Sequence, residues 1–220
     1  KPIYILFIGL TFCTGFAQEN QKIYDIIDAV SSKSIKQDIE KLVSFGTRHT
    51  LSDTLSKSRG IGAARRWIKS EFDKISDTCD GCLEVFYQKN YFTPEDGDRI
   101  VKPVWINNIV ALQRGKTHPN RFIIMSGDID SRISDPLNYT EDSPGANDNA
   151  SGMAGTIEAA RVLSNYTFEN SILYVGLAGE EQGLFGGKGL AAYAQEQGWE
   201  IIGILNNDMI GNIRGVDGVI

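Results

Sequence analysis

The stretch SILYVGLAGEEQGLFGG, residues 171–187, opens as an unbroken apolar run, turns on glycine, and leads into a segment with helical spacing from about Phe185 to Gln195. An apolar run of this length bounded by turn residues reads as a strand. A strand followed by a tight turn and a helix is the unit of an α/β sandwich. The stretch also poses an electrostatic problem, because Glu180 and Glu181 stand side by side where the strand ends. Adjacent carboxylates repel, so a cation or a division of roles is expected nearby.

The same pattern recurs on either side. RFIIMSGDIDSR, residues 121–132, is a strand that ends at Asp128 and Asp130, and IIGILNNDMIG, residues 201–211, is a strand that ends at Asp208. Between residues 141 and 155 the turn-rich EDSPGANDNASGMAG places Asp148 just before a helix expected over Ser151 to about Leu163. Earlier in the chain, KIYDIIDAV, SIKQDIEKLVSF and GIGAARRWIKSEFDKI have apolar residues at three- and four-residue spacing and read as helices. LEVFYQ and NNIVALQRG read as strands, and GKTHPN, residues 115–120, reads as a hairpin turn into the strand that follows. The expected fold is a three-layer α/β sandwich around a mixed, largely parallel sheet with an antiparallel entry hairpin. A helical lead-in covers about 20–77 and a core about 83–220, both within a single domain over 18–220.

In open α/β sheets, ligands bind beyond the carboxyl ends of the strands, and Asp128, Asp148, Glu180, Glu181 and Asp208 would all meet there. Carboxylates gathered in one crevice raise one another's pKa unless cations hold them together. Asp128, Asp148, Glu181 and Asp208 carry four negative charges, which two divalent ions cancel. Glu180 is left over, free to act as a general base. Taken singly, each is most simply a solvated loop acid. Their recurrence at the same end of successive strands is the argument for a site.

The segments SGDIDS, PGANDNASGMAG, AGEEQGLFGG and NNDMIG, in this order, resemble the signature segments of family 28 of the metallopeptidases, the co-catalytic zinc aminopeptidases of the bacterial leucyl aminopeptidase type. The likeness covers roughly residues 105–212. It implies a phosphorylase/hydrolase-like sandwich of the zinc exopeptidase type with two zinc ions bridged by a carboxylate. By this resemblance Asp148 matches the bridging ligand, Glu180 the general base, Glu181 a ligand of one metal and Asp208 a ligand of the other. Asp130 matches an aspartate standing behind the ligands, and a cis peptide is implied between Asp148 and Asn149. The implied activity is removal of the N-terminal residue from a peptide substrate.

Two positions depart from the family pattern. Where Asp128 stands the family usually has histidine, and an aspartate oxygen is a harder ligand, so the preferred metal moves toward manganese or cobalt. The family's last ligand is a histidine well downstream of the DMIG segment. Neither His118, in the GKTHPN turn, nor His49, in FGTRHTLSD, stands in its place, and both read as surface residues. The sequence therefore reads as incomplete beyond Ile220, which would leave one metal half-coordinated and part of the sheet uncovered. Two other functions compete: a single-zinc enzyme like the glutaminyl cyclases, and a non-catalytic peptidase-like binding domain.

Composition limits the partners. The 220 residues are 41% hydrophobic with a net charge of −6 and no run of five like charges, which points away from nucleic acid and anionic membrane surfaces. Residues 1–17 carry one basic residue, an apolar run too short to span a bilayer, and the small residues Gly15 and Ala17, the pattern of a secretory signal cleaved before Gln18. Export without stable membrane association is expected, since the bulky Phe12 argues against a lipid anchor on Cys13. In an exported protein Cys79 and Cys82 read as a local disulfide. GLFGGKGL lacks Walker A spacing. Of the glycosylation sequons at Asn138, Asn149 and Asn165, the one at Asn149 is discounted, because a glycan there would block the site.

Overall fold

The computed structural model describes residues 20–214, so the signal expected over residues 1–17 lies outside the described part. The elements run α1 (Gln21–Asp28), α2 (Ser32–Val43), α3 (Gly60–Thr78), β1 (Leu83–Phe92), β2 (Val104–Gln113), β3 (His118–Asp128), α4 (Gly152–Leu163), β4 (Asn170–Leu177), α5 (Phe185–Glu196) and β5 (Glu200–Asn207). Polar caps start the first two helices. Asn20 accepts from the Lys22 N–H, and Ser31 accepts from the Ser34 N–H. In α3, Ile61, Ala64, Ile68, Phe72 and Ile75 recur at helical spacing, and all are buried. Cys79 and Cys82 form the expected disulfide in the turn between α3 and β1.

The five strands form one mixed sheet in the order β1-β2-β4-β3-β5. β1 pairs antiparallel with β2, and β2 antiparallel with β4, whereas β3 is parallel to both β4 and β5. The hairpin expected through GKTHPN is not formed. The chain leaves β2, passes β4 and lays down β3 one strand further on, so that β4 later fills the gap. The turn residues supply the reversal, but pairing is decided by burial, and β4 is the most continuously apolar of the strands. Its outward neighbours alternate cleanly. Ile172 and Tyr174 join Ile109 and Ala111 of β2 in a core beneath α3 and α4, while Leu173 and Val175 join Val110 and Leu112 in a second core beneath α5. Burial on both faces makes this a three-layer sandwich. β5 forms one edge of the sheet, and there Ile202, Ile204 and Leu205 are exposed.

Register positions the site. Asp128 is the last residue of β3 and pairs with Leu177, the last of β4. Gly127 pairs with Asn207, the last of β5. Three parallel strands thus stop level with one another, and the acidic residues that follow them emerge along one edge of the sheet.

Candidate metal centre

Asp128, Glu180 and Asp208 line one crevice of about 200 Å3, together with Ser126, Leu184 and Asn206. Asp128 is 5% exposed, Glu180 half-buried and Asp208 exposed. Burial, then Asp130, Glu180 and Asp208, push the Asp128 carboxyl up to about 7, against one opposing hydrogen bond from Asn149. Burial also raises Glu180 to about 7, followed by the charges of Asp130, Glu181, Asp208 and Asp148. Glu181 and Asp208 are raised as well, by burial first and then by Asp148 among their acidic neighbours. The five acids expected from sequence therefore share one electrostatic field.

Asp130 explains how the two glutamates are held. Fully buried, it receives the Glu180 N–H on Oδ1 at 3.2 Å, the Glu181 N–H on Oδ2 at 3.1 Å and the Thr50 hydroxyl at 2.8 Å. The turn after β4 is clamped by its backbone, and the two side chains can diverge. Glu180 faces the crevice, while Glu181 pairs with Arg132.

Asp148 is carried by an irregular turn over Ala146–Ser151, where Asp148 and Asn149 leave helical geometry and the peptide between them is cis, as the resemblance implies. Two groups anchor this turn. Asn149 is 1% exposed and donates to Asp128 Oδ2 at 3.1 Å and to the Asn207 carbonyl at 2.9 Å. Its Oδ1 accepts from the N–H groups of Gly152 and Met209. Every polar atom of this side chain is engaged, which leaves no room for a glycan. Arg48 is also buried. It donates to the carbonyls of Ile129, Leu42, Pro144 and Gly145, and its charge faces Asp130 and Asp148. Close packing completes the arrangement: a Cβ on Gly152 would collide with the Asn207 carbonyl, so only glycine lets α4 start against the end of β5.

His49 is not on the surface as expected from sequence. It is fully buried, with Nδ1 accepting from the Leu51 N–H at 3.1 Å and Nε2 donating to the Pro136 carbonyl at 3.0 Å. Both ring nitrogens are used, so His49 is not a metal ligand. Its loop is drawn inward by Thr50 and Arg48, a long-range effect with no local sequence signal. His118 begins β3, at the end of the sheet opposite the carboxylates. Sequence reading also missed Arg48, Asn149 and Arg132. Of these, Asn149 lies within the PGANDNASGMAG motif, where the sequence points to a cis peptide and a glycosylation sequon but not to its anchoring hydrogen bonds.

The donor set suits hard divalent cations: five carboxylates in a shared field, with Arg132 and Arg48 the cations that face them. As placed, no three Asp, Glu, His or Cys side chains among the described residues share ligation range. Glu181 is instead paired with Arg132.

Residues 108–217, half the chain, match the sequence profile of peptidase family M28. The chain belongs to peptidase family M28. A probable zinc metalloprotease of Pyrenophora tritici-repentis is 40% identical over 199 residues, covering 90% of this chain and 46% of that protein. The chain thus spans about half the length of the curated relatives it matches. Among solved structures, Legionella pneumophila LapA aminopeptidase superposes with a TM-score of 0.65 at 21% identity, over 85% of this chain and 45% of its own. A glutaminyl cyclase from Fimbriiglobus ruber gives 0.61 at 16%, over 80% and 60%. Both share the M28 sandwich. At these identities the likeness concerns fold.

Proposed function

We propose that this M28 chain carries the catalytic centre of an exported metal-dependent aminopeptidase, with Glu180 as the general base and Asp128, Asp148, Glu181 and Asp208 as ligands of two divalent ions. Zinc is favoured by the names of its relatives, and manganese or cobalt by the oxygen ligand Asp128. The observation that carries the reading is Glu180 itself, half-buried in the crevice beside Asp128 and Asp208, its turn fixed by Asp130 and its carboxyl held near neutrality. A base works best with a pKa near the operating pH.

Bound divalent metal would supply Lewis acidity at the scissile carbonyl and acidify the attacking water. Glu180 accepts the water's proton as the water adds to the carbonyl, then delivers it to the leaving amine as the C–N bond breaks. Asp130, through the backbones of Glu180 and Glu181, keeps base and ligand facing apart. Export rests on the N-terminal signal pattern and on the Cys79–Cys82 disulfide, which suits an oxidising compartment.

Glu180→Gln, made in the protein at its natural length, should retain fold and metal while hydrolysis of an unblocked peptide falls by at least about 100-fold. An active glutamine variant rejects Glu180 as the base. Pyroglutamate formation from an N-terminal glutaminyl peptide, without release of a free amino acid, would instead mark a cyclase.

A further inference from the structure

A second cavity, about 720 Å3, opens where β2 begins, between the 47–55 loop, the start of α3 and the 139–140 loop. It is larger than the carboxylate crevice and shares no lining residue with it. Its charged lining is Arg59, Arg65, Lys102 and Asp53. Two of these are already engaged. Arg59 pairs with Asp142 at 2.6 Å, and the Asp53 carboxylate accepts the N–H groups of Leu55 and Ser56.

Arg65 differs. It is 8% exposed, has no ion pair among the described residues, and makes one hydrogen bond, from Nη1 to the Trp105 carbonyl at 3.2 Å. A guanidinium has five N–H donors, and the Arg65 nitrogens other than Nη1 are not among the fully buried side-chain atoms without a partner, so they remain open to solvent and to a ligand. Desolvation lowers the Arg65 pKa, with Tyr87 nearby and Arg66 repelling it. Lys102, also without an ion pair among the described residues, stands 4.1 Å from the centre of the Tyr139 ring. Tyr139 and the half-exposed Trp105 give the cavity flat apolar walls.

We propose that this cavity binds a small carboxylate with an aromatic or aliphatic body, the carboxylate on Arg65 and Lys102 and the body between Trp105 and Tyr139. The planar fork of arginine matches a carboxylate, and the surrounding low dielectric strengthens the pair. A ligand here sits one loop away from the carboxylate crevice, because Leu51 lines the cavity and its neighbour Thr50 holds Asp130. The site depends on no metal.

The test titrates the natural-length protein, without added metal, with hippurate, its neutral amide hippuramide, and inorganic phosphate, following calorimetry and the fluorescence difference between wild type and Trp105→Phe. Saturable hippurate binding that perturbs the Trp105 signal is expected, with hippuramide at least about tenfold weaker. Arg65→Met should abolish the preference for hippurate, and Arg65→Lys should keep part of it. If Arg65→Met does not fold, Lys102→Ala should weaken hippurate and leave hippuramide unchanged. Equal binding of acid and amide, no binding, or phosphate bound as tightly as hippurate overturns the proposal. So does hippurate binding that appears only when zinc is added, which would place it at the carboxylates, whereas loss of peptidase function alone leaves this site standing.

Discussion

At the residue scale, Asp128 is a buried carboxylate whose charge is tolerated only with help. Burial first, and then the charge of Asp130, push its carboxyl from the ordinary 3.8 up to about 7. The folded chain therefore binds more protons than the unfolded one between those values, and the contribution of this group to stability falls as pH rises through that window. Asp128→Asn removes the charge. In metal-free protein the variant should match or trail wild type near pH 4 and exceed it by several degrees in Tm near pH 8. A difference in Tm that does not grow with pH contradicts the burial of an unpaired charge here. Much at this scale is legible in the sequence, because acids at strand ends stand out: Asp128, Glu180 and Asp208 line one crevice, and the charges of Asp148 and Glu181 reach Glu180 there. The groups that hold them are not. Arg48 reaches carbonyls at Ile129, Pro144 and Gly145 and His49 the Pro136 carbonyl, all more than 80 residues along the chain, and nothing local in FGTRHTLSD distinguishes a buried loop from a surface one.

At the scale of elements, two contacts fix how the helices meet the sheet. The first is Gly152 against the Asn207 carbonyl, which brings the Asp148 turn to the end of β5. Gly152→Ala must push α4 away from β5, so it should lower stability by about 1–3 kcal/mol and weaken metal binding at least as strongly, seen by denaturant titration and by competition with a metal indicator. The second is Arg161 on α4, which pairs with Glu158 and, at 3.0 Å, with Asp38 on α2. Both acids are nearly buried, and burial raises the Asp38 pKa while Arg161 lowers it. Arg161→Met leaves two unpaired carboxylates and should cost on the order of 3 kcal/mol near neutral pH, because Arg161 is itself partly exposed. The deficit should shrink as falling pH protonates the acids, and a constant deficit would mean that lost packing, not lost charge, is responsible. The helices and strands themselves were readable from apolar spacing. The β2–β3 connection was not, since GKTHPN permits a hairpin and only the burial of β4 on both faces decides against it.

At the scale of the whole molecule, one arrangement accounts for fold and site together: three parallel strands stopping level, a turn carrying Asp148 folded across their ends, and a buried aspartate gripping the backbone of the two glutamates. The sheet's open side at β5, with Ile202, Ile204 and Leu205 exposed, lies next to Asp208 and the crevice. The decisive measurement is metal content per chain, by elemental mass spectrometry, on the folded natural-length protein after dialysis against zinc and then against buffer. About two divalent ions per chain are predicted, falling to one or none in Asp148→Ala. A folded protein that retains no divalent ion would contradict the account, because the carboxylates at the strand ends would then form no metal centre.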